Sequence, residues 1–281
     1  MENSGWRYYN HAIIPNCAPH EKVDTTLIDN EKIWDISKKA LLVRYTTDFD
    51  CGYETNWWHC IKDTPIDLES MKAKKRYRIN KGLSNVEVKK VSAKDYADEI
   101  YECFEKALER YEGKKNSSNR ESFVNSLKKD TRSEYYVCIF KETNEVVGYA
   151  RNLVYDDYVD FASMKFIPSY MKYEISAALI YTMIYDYINV QGKKYVYDGE
   201  RTISHKTSIQ DYLESVFDFK KAYCNLHIVY RKKIGRIIKI IFPFRKVLKL
   251  FDKIKFFANI NSVLLMEEIV RNKKGLSLWT N

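Results

Sequence analysis

The stretch Asp198-Gly199-Glu200-Arg201-Thr202-Ile203-Ser204-His205-Lys206-Thr207 brings acids, bases and a histidine together. It follows Lys194–Tyr197, a short run that reads as a strand, and open α/β sheets bind ligands just past the carboxyl ends of their strands. Glu200 and His205 are candidate bases for moving a proton. Asp198 and Arg201 are candidate substrate contacts, the guanidinium being able to grip an anionic group with two parallel hydrogen bonds. The same residues also suit a solvated loop ending in a helix cap at Thr207. Upstream, Asp160 shares a strand face with Ala162 and Met164 by the period of two, either as a base or as a strand-edge charge. Trp57 and Trp58 supply flat rings for a sugar or nucleobase, or else two pieces of core. The six cysteines contain no CxxC pair, and Cys17, His20, Cys51, His59 and Cys60 fit no zinc spacing, so no metal is expected.

Periodicity supplies the elements that must position these groups. Alternation at Val86–Val91 predicts a strand. Tyr96, Ile100, Cys103, Phe104, Ala107 and Leu108 predict a helix over 95–110. A polar loop at 112–119, a helix at Arg120–Lys129 and strands at 135–141, 146–154 and 158–166 follow, with turns at Thr143-Asn144 and Asp156-Asp157. Pro168-Ser169 reads as the start of a long helix capped by Ser169, with Ile175, Leu179, Met183 and Tyr187 as its buried stripe and Gly192 past its end. A strand at 194–197, a helix at 207–217 and a last strand at 222–230 complete the order β-α-α-β-β-β-α-β-α-β. Hairpins in the middle make this a mixed α/β (α+β) sheet rather than a purely parallel one. Before it, 67–81 reads as a basic helix stopped by Gly82, and residues 1–64 carry short strand-like runs at 12–14 and 40–45.

That order, over roughly 86–231, resembles the GNAT acyltransferases. Lys74-Lys75-Arg76-Tyr77-Arg78-Ile79-Asn80-Lys81-Gly82 leading into Val86-Glu87-Val88 is similar to the basic helix and core strand of the FemAB-like branch. Gly192-Lys193-Lys194-Tyr195-Val196-Tyr197-Asp198-Gly199 resembles its GxxYxDxG segment, and Phe217-Asp218-Phe219-Lys220-Lys221 its closing FGF(K/R) turn. The resemblance implies an N-acyltransferase with acetyl-CoA or another acyl-CoA as donor. FemAB-like enzymes take theirs from aminoacyl-tRNA, which is the alternative. A binding protein without catalysis is the third reading. In such a fold the backbone near Met164 and Phe166 contacts the acyl carrier. Lys172-Tyr173-Glu174-Ile175-Ser176-Ala177 stands where the pyrophosphate-binding loop belongs, making Lys172, Tyr173 and Ser176 the cofactor contacts. Here Ile175 replaces the first glycine of that loop and Glu174 adds a negative charge. A tyrosine on the following helix often serves as general acid, a role that falls to Tyr212 although Glu214 holds the family's position.

The charge is unevenly placed. Of the net +9, all is accounted for by 231–257, where ten Lys/Arg face one acid, Asp252. Apolar residues recur there at helical spacing on both sides of Pro243, which should kink the helix. A basic amphipathic helix suits an anionic membrane surface; a packed appendage or contact with tRNA are the other readings. No run is apolar enough to span a bilayer and the start lacks a signal peptide, so a soluble cytoplasmic protein is expected, with the tail able to hold it at the inner membrane face. The expected division is an N-terminal unit at 1–66, a catalytic domain at 67–231 and the tail at 232–281. The expected acceptor is a small amine or amino sugar such as a surface-polysaccharide precursor.

Overall fold

The computed structural model of the chain describes residues 5–108, 119–203 and 209–276. Its strands are β1 (Trp6–Tyr9), β2 (Ala12–Pro15), β3 (Leu42–Thr47), β4 (Trp58–Lys62), β5 (Val86–Val91), β6 (Ser133–Phe140), β7 (Glu145–Val154), β8 (Tyr158–Phe166), β9 (Tyr195–Glu200), β10 (Lys220–Tyr223) and β11 (Asn225–Tyr230). Its α-helices are α1 (Thr26–Asp29), α2 (Ala73–Asn85), α3 (Ala97–Leu108), α4 (Arg120–Lys129), α5 (Ile175–Ile184), α6 (Ile209–Phe217), α7 (Lys232–Ile241), α8 (Arg245–Leu248) and α9 (Lys255–Leu276). One sheet has the order β1-β2-β3-β11, the other β10-β4-β9-β8-β7-β6-β5. The strands from β5 to β8 are antiparallel neighbours, while β8 and β9 run parallel. The mixed sheet is therefore as expected.

The chain gathers into two compact units, which cut it differently from the three-part reading. One takes the described residues of 60–199 and 208–220; the other takes those of 1–59, 200–207 and 221–281. The first has a single core around α5, a helix apolar on every side and buried at Ile175, Leu179, Ile180, Met183 and Ile184. Such a helix has no face for water and must lie at the centre of its unit. The expected stripe of Ile175, Leu179, Met183 and Tyr187 is wholly buried.

Four local readings need correction. Gly82 does not stop a helix but lies inside α2, where a Cβ would come within 2.5 Å of the Glu174 carbonyl oxygen and 2.9 Å of the Ala178 Cβ. Glycine is needed there so that α2 can approach α5. Ser169 is not the cap of α5: Pro168–Tyr173 is a 3-10 turn, and the chain enters α5 through Glu174 at φ 59°. The strand at 194–197 continues through Glu200, so Asp198 and Glu200 stand on β9 instead of in a loop. The expected last strand at 222–230 is two strands, β10 and β11, broken at Cys224, whose N–H donates to the Trp57 carbonyl at 3.0 Å.

Candidate functional site

In the unit built on α5, β8 and β9 pair only over Tyr158–Asp160, ending at Asp160 opposite Tyr197. Both strands continue, β8 to Phe166 and β9 to Glu200. The cause lies one residue on. Arg151 of β7 faces Ser163 while Leu153 faces Asp160, so Asn152 meets both Phe161 and Ala162. That extra residue is a β-bulge in β8, and a bulge bends its strand and turns up its twist. Past the bulge, Phe161–Phe166 follows β7 and leaves β9. Phe166 is held by its ring against Gly148, where a Cβ would lie 2.7 Å from the Phe166 Cδ1.

Two carboxylates mark the fork. Asp160 is the last paired residue of β8, and Asp198 the first residue of β9 beyond the pairing. Burial, and then the negative charge of Asp160, push the Asp198 carboxyl up to about 7. An acid in that range is matched to proton transfer near neutral pH. The Asp198 carbonyl is fixed by a hydrogen bond from Gln210 Nε2 of α6 at 3.0 Å. Asp198 is expected from the sequence as a substrate contact, and its raised carboxyl also suits it to hold or take a proton. No sequence pattern carries that signal, because it depends on which acid the strands cover.

The first turn of α5 is filled by the protein itself. Arg78 of α2 holds the Glu174 carboxylate through Nε at 3.0 Å and Nη2 at 2.8 Å. Its guanidinium also lies 5.0 Å from the Tyr212 ring centre. The Ser176 hydroxyl is buried, 3.4 Å from the Tyr212 hydroxyl. Burial pushes the Tyr212 phenol up, so it keeps its proton. Lys172 lies over the ring of Tyr173, which packs against Phe140. A helix start binds pyrophosphate by offering open N–H groups to it. Here Ile175 is fully buried and an ion pair crosses the turn, so these residues do not fit the pyrophosphate of coenzyme A.

The remaining candidates belong to the other unit. Glu200 pairs with Arg44 of β3 at 3.4 Å. Burial holds the nearby His59 imidazole below its ordinary value, against the opposing pull of Glu200. His59 Nε2 lies 3.2 Å from the Thr46 hydroxyl. This Arg44–His59–Glu200 group was not foreseen beyond Glu200, since its members lie far apart in sequence. Arg201 lies 4.7 Å and Lys221 4.9 Å from the Trp58 ring centre, so two cations cover that ring. Trp57 is 1% exposed and packs with Cys224, Leu226, Met266 and Ile269. It is core, and offers no face to a sugar. His205 lies outside the described residues. Among the described residues no three His, Cys, Asp or Glu side chains converge as a metal site.

No protein-family profile and no curated protein matches the sequence. Solved structures do. FemX matches over 77% of this chain and 78% of its own, with a TM-score of 0.54 at 10% identity. The C-terminal DUF2156 domain of a protein named as a lysylphosphatidylglycerol synthetase from Agrobacterium fabrum matches over 83% and 82%, with a TM-score of 0.52 at 10% identity. A conserved protein of unknown function from Bacteroides thetaiotaomicron matches over 79% of both chains, with a TM-score of 0.52 at 11% identity. A match over 83% of the chain reaches well beyond 67–231, so the likeness also takes in residues outside the expected catalytic domain. The mixed strand order and these likenesses agree on the fold alone: the chain is built like FemX and the DUF2156 domain.

Proposed function

We propose that the protein moves an activated acyl group to an amine, with the acyl carbon held where β8 and β9 part. The observation that supports this is the fork: a bulge-bent strand with open backbone beside a carboxyl pushed up to about 7. An alkylammonium titrates at ~10.4 and has no lone pair, so the acceptor must lose a proton before attack. Asp198 takes it, the amine nitrogen bonds to the acyl carbon, and the bond to the leaving group breaks. Backbone N–H groups of β8 around Met164 and Phe166 face the oxygen that turns negative; such donors lower the barrier because they need no reorganisation. Tyr212, kept protonated by burial, gives its proton to the leaving group and is reprotonated by the second proton that the bonded nitrogen sheds as it becomes an amide.

The filled first turn of α5 favours an aminoacyl ester over a thioester of coenzyme A as donor. The acceptor in this reading is a small amine or amino sugar. Thermal unfolding in the presence of each donor tests it. A ligand at a hundredfold excess over its Kd stabilises by about 2.7 kcal/mol. Aminoacyl-tRNA should raise the unfolding temperature and acetyl-CoA should not. The reverse result returns the donor to coenzyme A, and no shift from either favours a protein that binds without catalysing.

A further inference from the structure

We infer that residues 232–254 form a preformed docking surface for an anionic lipid bilayer. The segment carries two apolar stripes. The inner one, Ile234, Ile238, Phe242 and Leu248, packs with Ile260 and Leu264 of α9. The outer one, Ile237, Ile240, Phe244, Val247, Leu250 and Ile254, is exposed, with Ile240 at 68% and Leu250 at 79% against 6% for Ile238. Ile237 and Ile240 share one side of α7, and exposed Phe244, Val247, Leu250 and Ile254 recur every three or four residues through the short turns that follow. Isolated exposed apolar residues are ordinary on a protein surface; an unbroken stripe of six large ones is not.

Charge says what covers it. Lys233, Arg236, Lys239, Lys246, Lys249 and Lys253 are exposed along the same segment, and its lone acid is Asp252. Lys232 and Arg245 are held by Glu31 and Glu268. An apolar stripe flanked by free ammonium groups matches acyl chains beneath anionic headgroups. A protein partner would be expected to bring carboxylates, but it would not need so long an apolar seam.

The platform is fixed before it meets a membrane. Arg245 donates to Glu268 Oε1 through Nε at 3.0 Å and Nη2 at 2.9 Å, and the Asn261 amide donates to the Leu248 carbonyl at 2.9 Å. The Arg271 guanidinium lies 3.9 Å from the Phe242 ring centre. Many amphipathic segments fold on contact with lipid; this one has its helices and its inner face already seated.

The test is co-sedimentation of the full chain with vesicles of phosphatidylcholine plus phosphatidylglycerol, and of phosphatidylcholine alone, at low salt. The wild type should bind the anionic vesicles with unchanged far-ultraviolet circular dichroism. Each lysine adds roughly fivefold to partition. Combined Lys246→Gln, Lys249→Gln and Lys253→Gln should then weaken binding about a hundredfold. Phe244→Ser with Leu250→Ser should weaken it at least tenfold while thermal unfolding stays unchanged, since both side chains face solvent. Four results would overturn the inference: no binding of the wild type, a large gain of helix on the vesicles, no effect of the serine pair, or a dimer in solution that the serine pair dissociates.

Discussion

The Asp198 carboxyl makes stability and activity pull in opposite directions. Folding pushes it from the ordinary 3.8 to about 7, first by burial and then by the charge of Asp160. Between those two values the folded chain holds a proton that the unfolded chain has released. Stability from this group is therefore fully present below about pH 4 and lost as pH rises through about 7. At 1.36 kcal/mol per unit the loss is at most about 4 kcal/mol. Asp198→Asn cannot ionise and escapes it. The variant should unfold several degrees higher than the wild type at pH 8, with the difference shrinking towards pH 4. It should also lose transfer activity, because its amide accepts no proton. Paired thermal melts of the two proteins from pH 4 to pH 8 read the difference directly, since other titrating groups cancel. A variant with the same pH dependence as the wild type would show that the carboxyl is not raised, and the assignment of Asp198 as base would fall with it.

Other outcomes follow from the same geometry. Asp160→Asn removes the second cause of the Asp198 shift, so the rise of the pH–rate profile should move to lower pH while its plateau persists. Gly82→Ala should destabilise by about 1–3 kcal/mol in denaturant melts, because overpacking against the Glu174 carbonyl outweighs the gain of about 1 kcal/mol in helix propensity. Cys60, Cys103, Cys138 and Cys224 are buried, and burial pushes the Cys103 thiol up to about 12 and those of Cys138 and Cys224 higher still. Ellman's reagent at pH 8 should therefore find Cys17 and Cys51 in the native protein and all six thiols after denaturation.

Periodicity made the middle of the chain legible. Val86–Val91, Arg120–Lys129 and Tyr158–Phe166 are elements with the bounds the pattern implied, because each has one wet and one dry face or a clear polar boundary. Where the reading failed, residues were serving tertiary ends. Gly82 resembles a helix stop, yet its missing Cβ is what lets α2 approach α5. The run 222–230 holds neither Gly nor Pro, so no strong turn signal marks the break at Cys224 where it passes from one sheet to the other. The site was legible as a neighbourhood and not as a mechanism. Asp160, Asp198, Glu200 and Arg201 were all singled out, but the structure sends Asp198 to one unit and Glu200 and Arg201 to the other. What raises the Asp198 carboxyl is its burial and the charge of Asp160, and the cation covering of Trp58 comes from Arg201 and Lys221, far from Trp58 in sequence.

Hydrogen exchange along β8, with and without donor, addresses the fork most directly. Aminoacyl-tRNA at saturation should slow exchange in 161–166 and at 198–199, leaving Tyr158–Asp160, which β9 already pairs, unchanged. If neither aminoacyl-tRNA nor acetyl-CoA slows exchange in 161–166, no acyl donor lies between these strands.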